Sequence, residues 1–347
     1  MILAAGVGSR LDPLTRAIPK PMVPIVNRPV IEHIVLDLKK HGFTEIMINL
    51  HYLGDVIQQA LGDGARLGVQ ISYAQEDKLW GDAGSVKRSQ AFFGGETFLV
   101  VGGDDISDID LTGLMLLHQE KNAAATIATT VVEDPSQFGI VVTDEDGRIA
   151  RFLEKPKSGS VFSNTANTGI YVFEPQVFDL IPPDTFWGFG NNVFPQLLAE
   201  DRPLYGFATT SYWQDVGSLQ VYRQTNFDAL SGRVHLNLPL TQGEEGIWLG
   251  DGVEIDPSAE IGSPVAIGHG VTIGAGAKIL ENTIIADGCF IEPDVTLKDT
   301  ILWAGARISR GTHLERCVVG TNVQVQSNAA IFDANIVDPT RRMTAKT

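Results

Sequence analysis

Over residues 1 to about 230, short apolar runs rich in β-branched residues alternate with stretches of helical period. Residues 2–5 read as a strand, 30–40 as a helix, 45–50 as a strand, 56–61 as a helix, 69–74 as a strand and 84–93 as a helix, followed by the continuous apolar strand 98–102. Strands separated by one helix each imply crossover units and a mostly parallel sheet covered on both faces. Ligands of such sheets gather beyond the carboxyl ends of the strands. After about residue 125 the strands come closer together, at 140–143, 149–154 and 168–173, joined by turn residues such as Asp146 and Gly147. This half predicts a mixed-sheet extension that covers the ligand edge of the first. Ile2, Leu3 and Ala4 read as the end of a strand whose beginning lies before the first residue.

Residues 233–246, which include Leu-Pro-Leu-Thr-Gln-Gly-Glu-Glu-Gly, are rich in breakers and read as a linker. Beyond them the period changes. Leu249, Ile255, Ile261, Ile267, Ile273, Ile279, Ile285, Ile291 and Leu297 recur every six residues, most of them followed by a small or acidic residue and a turn. Neither a helix nor ordinary strand alternation gives that spacing. A parallel β-helix does, because each aliphatic residue stacks on its equivalent one coil away and fills a narrow interior. The phase slips by one residue between Leu297 and Leu302 and again between Leu314 and Val319; Val325, Ile331 and Val337 are expected to resume it. The pattern divides the chain into a first domain at 1–232, the linker, a repeat domain at 247–338 and a loose tail at 339–347 that carries Arg341 and Arg342.

Composition narrows the partners. In 347 residues, 44% are hydrophobic and 20% charged, enough apolar surface for ordered cores. A formal net charge of -16 argues against nucleic acid or an anionic membrane, both of which need a basic footprint, so any phosphate ligand must be held by a local basic site. Cys289 and Cys317 lack paired spacing and read as buried small hydrophobes in a reducing compartment. The N-terminus is too short and uncharged for a secretory signal, and no stretch is long enough to span a bilayer. A cytoplasmic protein is expected.

The richest chemistry lies at 3–24, Leu-Ala-Ala-Gly-Val-Gly-Ser-Arg-Leu-Asp-Pro-Leu-Thr-Arg-Ala-Ile-Pro-Lys-Pro-Met-Val-Pro. A strand running into Gly6 and Gly8 exposes backbone N–H groups to phosphate oxygens, and Arg10 and Lys20 add positive charge close by. The dinucleotide fingerprint fails here for want of a third glycine, and the P-loop fails for want of Gly-Lys-Ser/Thr. Taken alone, Gly6 and Gly8 would equally make a tight turn. Farther on come Gln75-Glu-Asp-Lys-Leu-Trp-Gly-Asp-Ala-Gly84, then Val100-Val-Gly-Gly-Asp-Asp-Ile-Ser-Asp108 at the carboxyl end of an apolar strand, then Phe138-Gly139, Phe152-Leu-Glu-Lys-Pro156, Asn167-Thr-Gly-Ile-Tyr171 and Tyr212-Trp-Gln-Asp-Val-Gly-Ser218. Singly, Asp82 would be a helix cap, Asp104 or Asp215 a turn residue, and Glu154-Lys155 an exposed ion pair of small consequence.

In this order the segments closely resemble the signature of the sugar nucleotidyltransferases, often called NDP-sugar pyrophosphorylases. The resemblance implies a Rossmann-like α/β domain with a mixed, mostly parallel sheet and, with the hexapeptide repeats, a C-terminal left-handed parallel β-helix. It also implies the site. Gly6 and Gly8 would wrap a nucleoside triphosphate, Arg10 would neutralise the departing pyrophosphate, and Lys20 would contact phosphates at the reaction centre. Gln75, Gly81 and Gly84 would form the nucleobase loop, in which Trp80 and Asp82 depart from the usual leucine and threonine. Asp104 and Asp215 would hold magnesium, which prefers few carboxylates alongside phosphates and waters. Gly139, Glu154, Lys155 and Asn167 would bind the sugar 1-phosphate, with Lys155 on its phosphate.

The Gln75-Glu76 loop, the Gly-Asp-Ala-Gly turn at 81–84 and the appended repeats together look most like mannose-1-phosphate guanylyltransferases, and a carboxylate such as Glu76 or Asp82 would accept the N–H donors of guanine's pairing edge, whereas uracil or thymine would be equally served by Gln75. UDP-glucose or dTDP-glucose synthesis is the alternative within the class. Two other readings compete: a non-catalytic sugar-nucleotide sensor, against which the retained charges argue, and a bifunctional enzyme that also transfers acyl groups using His269 or His313 on the repeat domain, against which stands the ordinary reading of exposed turn histidines. The repeat domain is otherwise expected to serve assembly of like chains or regulation.

Overall fold

The structure, a computed structural model, describes residues 1–157, 159–243 and 246–338. Glu244 and Glu245 of the expected linker and the expected loose tail with Arg341 and Arg342 lie outside the described residues. Two compact units are formed, one by Met1–Val7 with Ile34–Trp213, the other by Gly8–His33 with the chain from Gln214 onward.

In the first unit the short strand Ile2–Leu3 lies between Glu45–Leu50 and Phe98–Gly102 and runs parallel to both, with Gln70–Gln75 parallel beyond Glu45–Leu50. These parallel neighbours follow from the crossover connections the hydrophobic pattern implied; Val30–Lys40 and Gly54–Leu61 are helices between strands. The sheet then turns mixed. Thr165–Phe173 runs antiparallel to Phe98–Gly102 and to Ala125–Val131, and Ile140–Thr143 pairs antiparallel with Ile149–Leu153. Leu204–Ala208 closes that edge, parallel to Ala125–Val131. Under the sheet sits a core dense in aromatic rings, with Phe98, Phe173, Phe178, Phe189 and Phe194 all buried. Phe173 and Phe189 stack with centroids 4.6 Å apart.

Several boundaries shift by one or two residues from expectation, and two larger differences bear on the site. The helix expected at 84–93 begins at Asp82 and stops at Arg88, followed by a 3-10 turn at Gln90–Phe93. Gly81, at φ 77°, stands at its N-cap without a side-chain bond, and Asp82 is its first residue, the carboxylate accepting from the Ala83 N–H at 2.7 Å. The strand expected at 168–173 extends back to Thr165, and its pairing with Ala125–Val131 shifts register between Asn167 and Tyr171 around Gly169, which takes φ 79°. Such a bulge re-aims side chains next to a site.

In the second unit the six-residue period becomes three parallel sheets of a left-handed β-helix. Leu249, Ile267, Ile285, Leu302, Val319 and Ile336 stack on one another along one sheet. The coil shortens from 18 residues between Ile267 and Ile285 to 17 between Ile285 and Leu302, which is the phase slip seen in the sequence. Because the last coil is short as well, Ile336 and not Val337 completes the stack on Val319. The interior positions Ile273, Ile279, Ile291, Ile308 and Leu314 are at most 1% exposed, and cutting one to alanine would cost about 2–5 kcal/mol. Ile284, Ile301 and Val318, which alternate to the outside of that same sheet, are buried too. Contacts reaching this side come from the helix Leu219–Leu230 and from residues 24–29 of the same unit, through Trp303 to Tyr222, Arg223 to Arg316 and Asn27 to Ile285.

Candidate active site

At the carboxyl ends of the parallel strands the first unit encloses a cavity of about 220 Å³, bordered by Leu3, Gly6, Asn49, Glu76, Gly81 and Phe186 among others. Its polar wall is built by a relay. Ala4 N–H donates to Asn49 Oδ1 at 2.8 Å, and Asn49 Nδ2 donates to Glu76 Oε1 at 2.9 Å. Glu76 is 4% exposed, and its Oε2 has no hydrogen-bond partner. A buried carboxylate oxygen without a donor is unfavourable unless a ligand supplies one. Gln75, expected in the nucleobase loop, is exposed and does not line this cavity, because side chains of successive strand residues point to opposite faces.

Gly81 and Gly84 hold the loop against the segment after Asp184. A side chain at either would collide with backbone there, Gly81 with Trp187 and Gly84 with the Thr185 carbonyl. Gly84 N–H donates to Trp187 O at 3.0 Å, and Trp187 N–H to Trp80 O at 2.9 Å. Asp82 also accepts from Phe189 N–H at 2.7 Å, so the two departures from the family pattern, Trp80 and Asp82, are the residues that receive residues 187–189. Burial pushes the Asp82 carboxyl above its ordinary range, against the pull of those N–H groups. The seam carries Phe186, 68% exposed at the cavity mouth. Sequence reasoning left out Asn49 and Phe186; an asparagine near the end of an apolar strand was the one signal for the first, and the second had none.

Asp104 and Asp105 gather at the end of the central strand. A side chain on Gly102 would collide with Asp105 Oδ2 and lie tightly, at 3.2 Å, against Asp104 Oδ1, so the glycine lets the two carboxylates approach the strand. Two hard oxygen donors at that position suit magnesium.

The sugar-side residues also meet within the first unit. A side chain on Gly139 would lie 2.7 Å from Glu154 Oε2 and 2.6 Å from the Phe152 ring, and the Gly139 carbonyl accepts from Asn167 N–H at 2.8 Å. Burial pushes the Glu154 carboxyl upward, opposed by the charge of Lys155. The Lys155 side chain is 68% exposed, its Nζ 3.9 Å from Glu154 Oε1. Asn167 is tied internally: its Nδ2 donates to Tyr171 Oη at 2.8 Å and its Oδ1 accepts from Gly169 N–H at 2.9 Å. Its amide therefore fixes the bulge.

The second unit carries the remaining cations. Gly8 takes φ 68°, and any side chain there would collide with Lys20 Cβ, so only glycine lets the turn lie against the lysine. Lys20 is 7% exposed, and its Nζ sits 2.7 Å from Asp215 Oδ1. Arg10, with a side chain 62% exposed, reaches Asp215 Oδ2 at 3.3 Å. Two cations on one carboxylate leave a net positive charge for phosphate.

The model of the nucleotidyl transferase family matches residues 1–232, and a model described as the EIF2B subunit epsilon LbH domain matches 244–345. The chain belongs to the nucleotidyl transferase family. A UTP–glucose-1-phosphate uridylyltransferase of Synechocystis sp. is 37% identical over 97% of this chain and 93% of its own. A mannose-1-phosphate guanylyltransferase of Mycobacterium tuberculosis is 31% identical over 91% and 82%. The catalytic subunit beta of that enzyme from Dictyostelium discoideum is 34% identical over 97% and 95%. Among solved structures, a putative glucose-1-phosphate thymidylyltransferase from Bacillus anthracis in complex with a sucrose superposes with a TM-score of 0.60 at 28% identity, covering 71% of this chain and 97% of that one. A nucleotidyl transferase needs a pocket for a base, cations for phosphates and carboxylates for a metal, and each of those chemistries is present in one or other unit. Among the described residues no helix is long and apolar enough to cross a membrane.

His269, one of the two acyl-transfer candidates, has both ring nitrogens engaged: Nδ1 accepts from Asp251 N–H at 2.8 Å, and Nε2 is 3.3 Å from Pro239 O. His313 Nε2 is buried without a hydrogen-bond partner, its ring against Phe332. Both side chains are partly exposed, 42% for His269 and 44% for His313, and His313 Nε2 lies 3.9 Å from Glu315 Oε2.

Proposed function

We propose that this nucleotidyl transferase joins GTP and mannose 1-phosphate to give GDP-mannose and pyrophosphate in the cytoplasm. The observation that carries the base is the unpartnered Oε2 of Glu76 in the cavity. Guanine offers two adjacent donors, the ring N–H and the exocyclic amine, to a carboxylate whose other oxygen is already held by Asn49. Uracil and thymine offer one donor flanked by carbonyl oxygens that an anionic acceptor repels.

The chemistry is in-line attack of a sugar-phosphate oxygen on the α-phosphorus, with pyrophosphate leaving. The nucleophile is already an anion at neutral pH, so alignment and charge neutralisation are what the residues supply. Arg10 and Lys20 meet the triphosphate, and Gly6 and Gly8 give it backbone N–H groups. Lys155 meets the sugar phosphate, Glu154 accepts from a sugar hydroxyl, and Gly139 and Asn167 shape that wall. Asp104 and Asp215 are the carboxylates proposed for magnesium, which when bound would screen the phosphate charge; Asp105 stands beside Asp104 as a further donor.

The Synechocystis relative favours a second reading, UTP with glucose 1-phosphate. Pairing five nucleoside triphosphates with the 1-phosphates of glucose, mannose, galactose and N-acetylglucosamine, read by pyrophosphate release, decides between them. GTP with mannose 1-phosphate is expected to give the highest kcat/KM; UTP with glucose 1-phosphate ahead of it would replace the proposal with the second reading, and no turnover with any pair would favour a sensor. Self-association through the β-helix is proposed on its repeat geometry alone, and light scattering in solution tests it.

A further inference from the structure

The turn that follows Lys20 is strained. Pro24–Ile25 and Arg28–Pro29 pair antiparallel, and between them Val26 takes φ 42° and Asn27 φ 66°. A β-branched residue in the left-handed region persists only where its surroundings over-determine it. Here they do. Val26 N–H donates to Asn226 Oδ1 at 2.9 Å, while Asn27 Nδ2 donates to Ile285 O of the β-helix at 3.2 Å. Asn226 is itself held, its Nδ2 donating to Tyr222 O at 2.9 Å one turn earlier in the helix Leu219–Leu230. Tyr222 is fully buried, and its Oη accepts from Trp303 Nε1 at 2.8 Å, with the two rings edge to face.

That helix is linked to both members of the Lys20–Asp215 pair. Asp215 lies three residues before its capping Ser218, whose Oγ accepts from Val221 N–H at 3.3 Å. Lys20 is joined to the strained turn through Val23, whose N–H donates to Lys20 O at 3.2 Å and whose carbonyl accepts from Val30 N–H at 3.0 Å. Removing the indole donor takes from the buried tyrosine oxygen one of its two side-chain partners, Trp303 and Asn226, and loosens the helix that carries both Tyr222 and Asn226.

We propose that Trp303, in the β-helix, is a positioning residue for nucleotidyl transfer: through Tyr222 and Asn226 it sets the turn at Val26 and with it the Lys20–Asp215 pair. The β-helix is then part of the catalytic apparatus. The proposal rests on the reading that Lys20 and Asp215 serve phosphate transfer.

The test uses the full chain. Trp303→Phe keeps an aromatic ring and deletes the donor; Tyr222→Phe deletes the acceptor by one oxygen and serves should the first variant fail to fold. Each is expected to lower kcat about tenfold, with KM for the sugar 1-phosphate changed by less than about twofold, and the double variant is expected to be no slower than the slower single one. In a Lys20→Arg background Trp303→Phe should slow turnover much less than it does in the wild type. A lower melting temperature with unchanged kcat would overturn the proposal, as would full additivity with Lys20→Arg. Lys20→Ala separates the two readings. If it turns over like wild type, the role given to Lys20 fails; if it is slow while Trp303→Phe is normal, only the role of Trp303 fails.

Discussion

Glu76 in the first unit and Asp215 in the second are both carboxylates at the chemistry-bearing ends of their elements, and their surroundings are opposite. Asp215 has a side chain 22% exposed, with Lys20 on one oxygen and Arg10 near the other. Glu76 is almost wholly buried, bonded to Asn49 through one oxygen and unpartnered at the other. Asp215 is compensated before any ligand arrives, so in the proposed reaction a triphosphate would meet cations already aligned. Glu76 is completed only by a ligand that brings donors. On the proposed reading the difference separates two tasks: the second unit's charges would act on the rate for any triphosphate, and the first unit's cavity would discriminate among bases.

The comparison breaks most visibly at Lys20. Lys20→Ala is expected to lower kcat by about 10²- to 10³-fold, roughly 3–4 kcal/mol of transition-state stabilisation, with every nucleoside triphosphate alike. Steady-state pyrophosphate release measures it. A loss confined to one base would contradict the division of tasks, because Lys20 belongs to the second unit and the cavity residues to the first.

Glu76→Gln should do the reverse, raising KM for GTP about 10- to 100-fold through the loss of charge-assisted bonds of about 1.5–3 kcal/mol. Turnover at saturation should change little. Because glutamine presents both a donor and an acceptor, UTP should be used as well as before or better. A variant that loses UTP more than GTP would reverse the assignment of the base.

Asp82 gives the first unit a dependence on pH. Burial raises the Asp82 carboxyl above its ordinary value, so the folded chain binds that proton more tightly than the unfolded one. Stability from this group is therefore greatest at low pH and declines as pH rises through the window between the ordinary and the raised value. Asp82→Asn keeps an oxygen for the N–H groups of Ala83 and Phe189 and carries no charge at any pH. It should melt above wild type at pH 7, with the gap closing toward pH 4. Thermal melts of the pair across that range check it, and a gap that widens on acidification would show that the carboxylate is stabilised rather than strained.

The β-helix was legible because its period is enforced by stacking: each aliphatic position meets its own equivalent a coil away, and only the final step, Ile336 in place of Val337, needed the register. The parallel strands were legible for a related reason, since buried strands read as apolar runs. Much of the candidate site was legible as a string of residues, from Gly8 through Lys20 to Asp215, because phosphates require a small set of residue types. What the string could not carry was direction. Nothing in Asn-Leu-His-Tyr shows that Asn49 turns toward Glu76, and nothing near Phe186 shows that it reaches the cavity mouth, because both depend on segments distant in sequence. The grouping of Gly8–His33 with the β-helix was invisible for the same reason.

Gln75 gives the smallest effect and the sharpest control. It neighbours Glu76 in sequence, yet the two side chains leave the strand end on opposite faces, Gln75 exposed with its amide oxygen 3.4 Å from where a side chain on Gly54 would begin. Gln75→Ala therefore removes surface that no base occupying the cavity touches, and KM for GTP should change by less than about twofold. The measurement is the same as for Glu76, made on the adjacent residue with the same substrate. If Gln75→Ala raised KM tenfold while Glu76→Gln did not, the base would sit outside the cavity, and the unpartnered oxygen of Glu76 would belong to some other ligand.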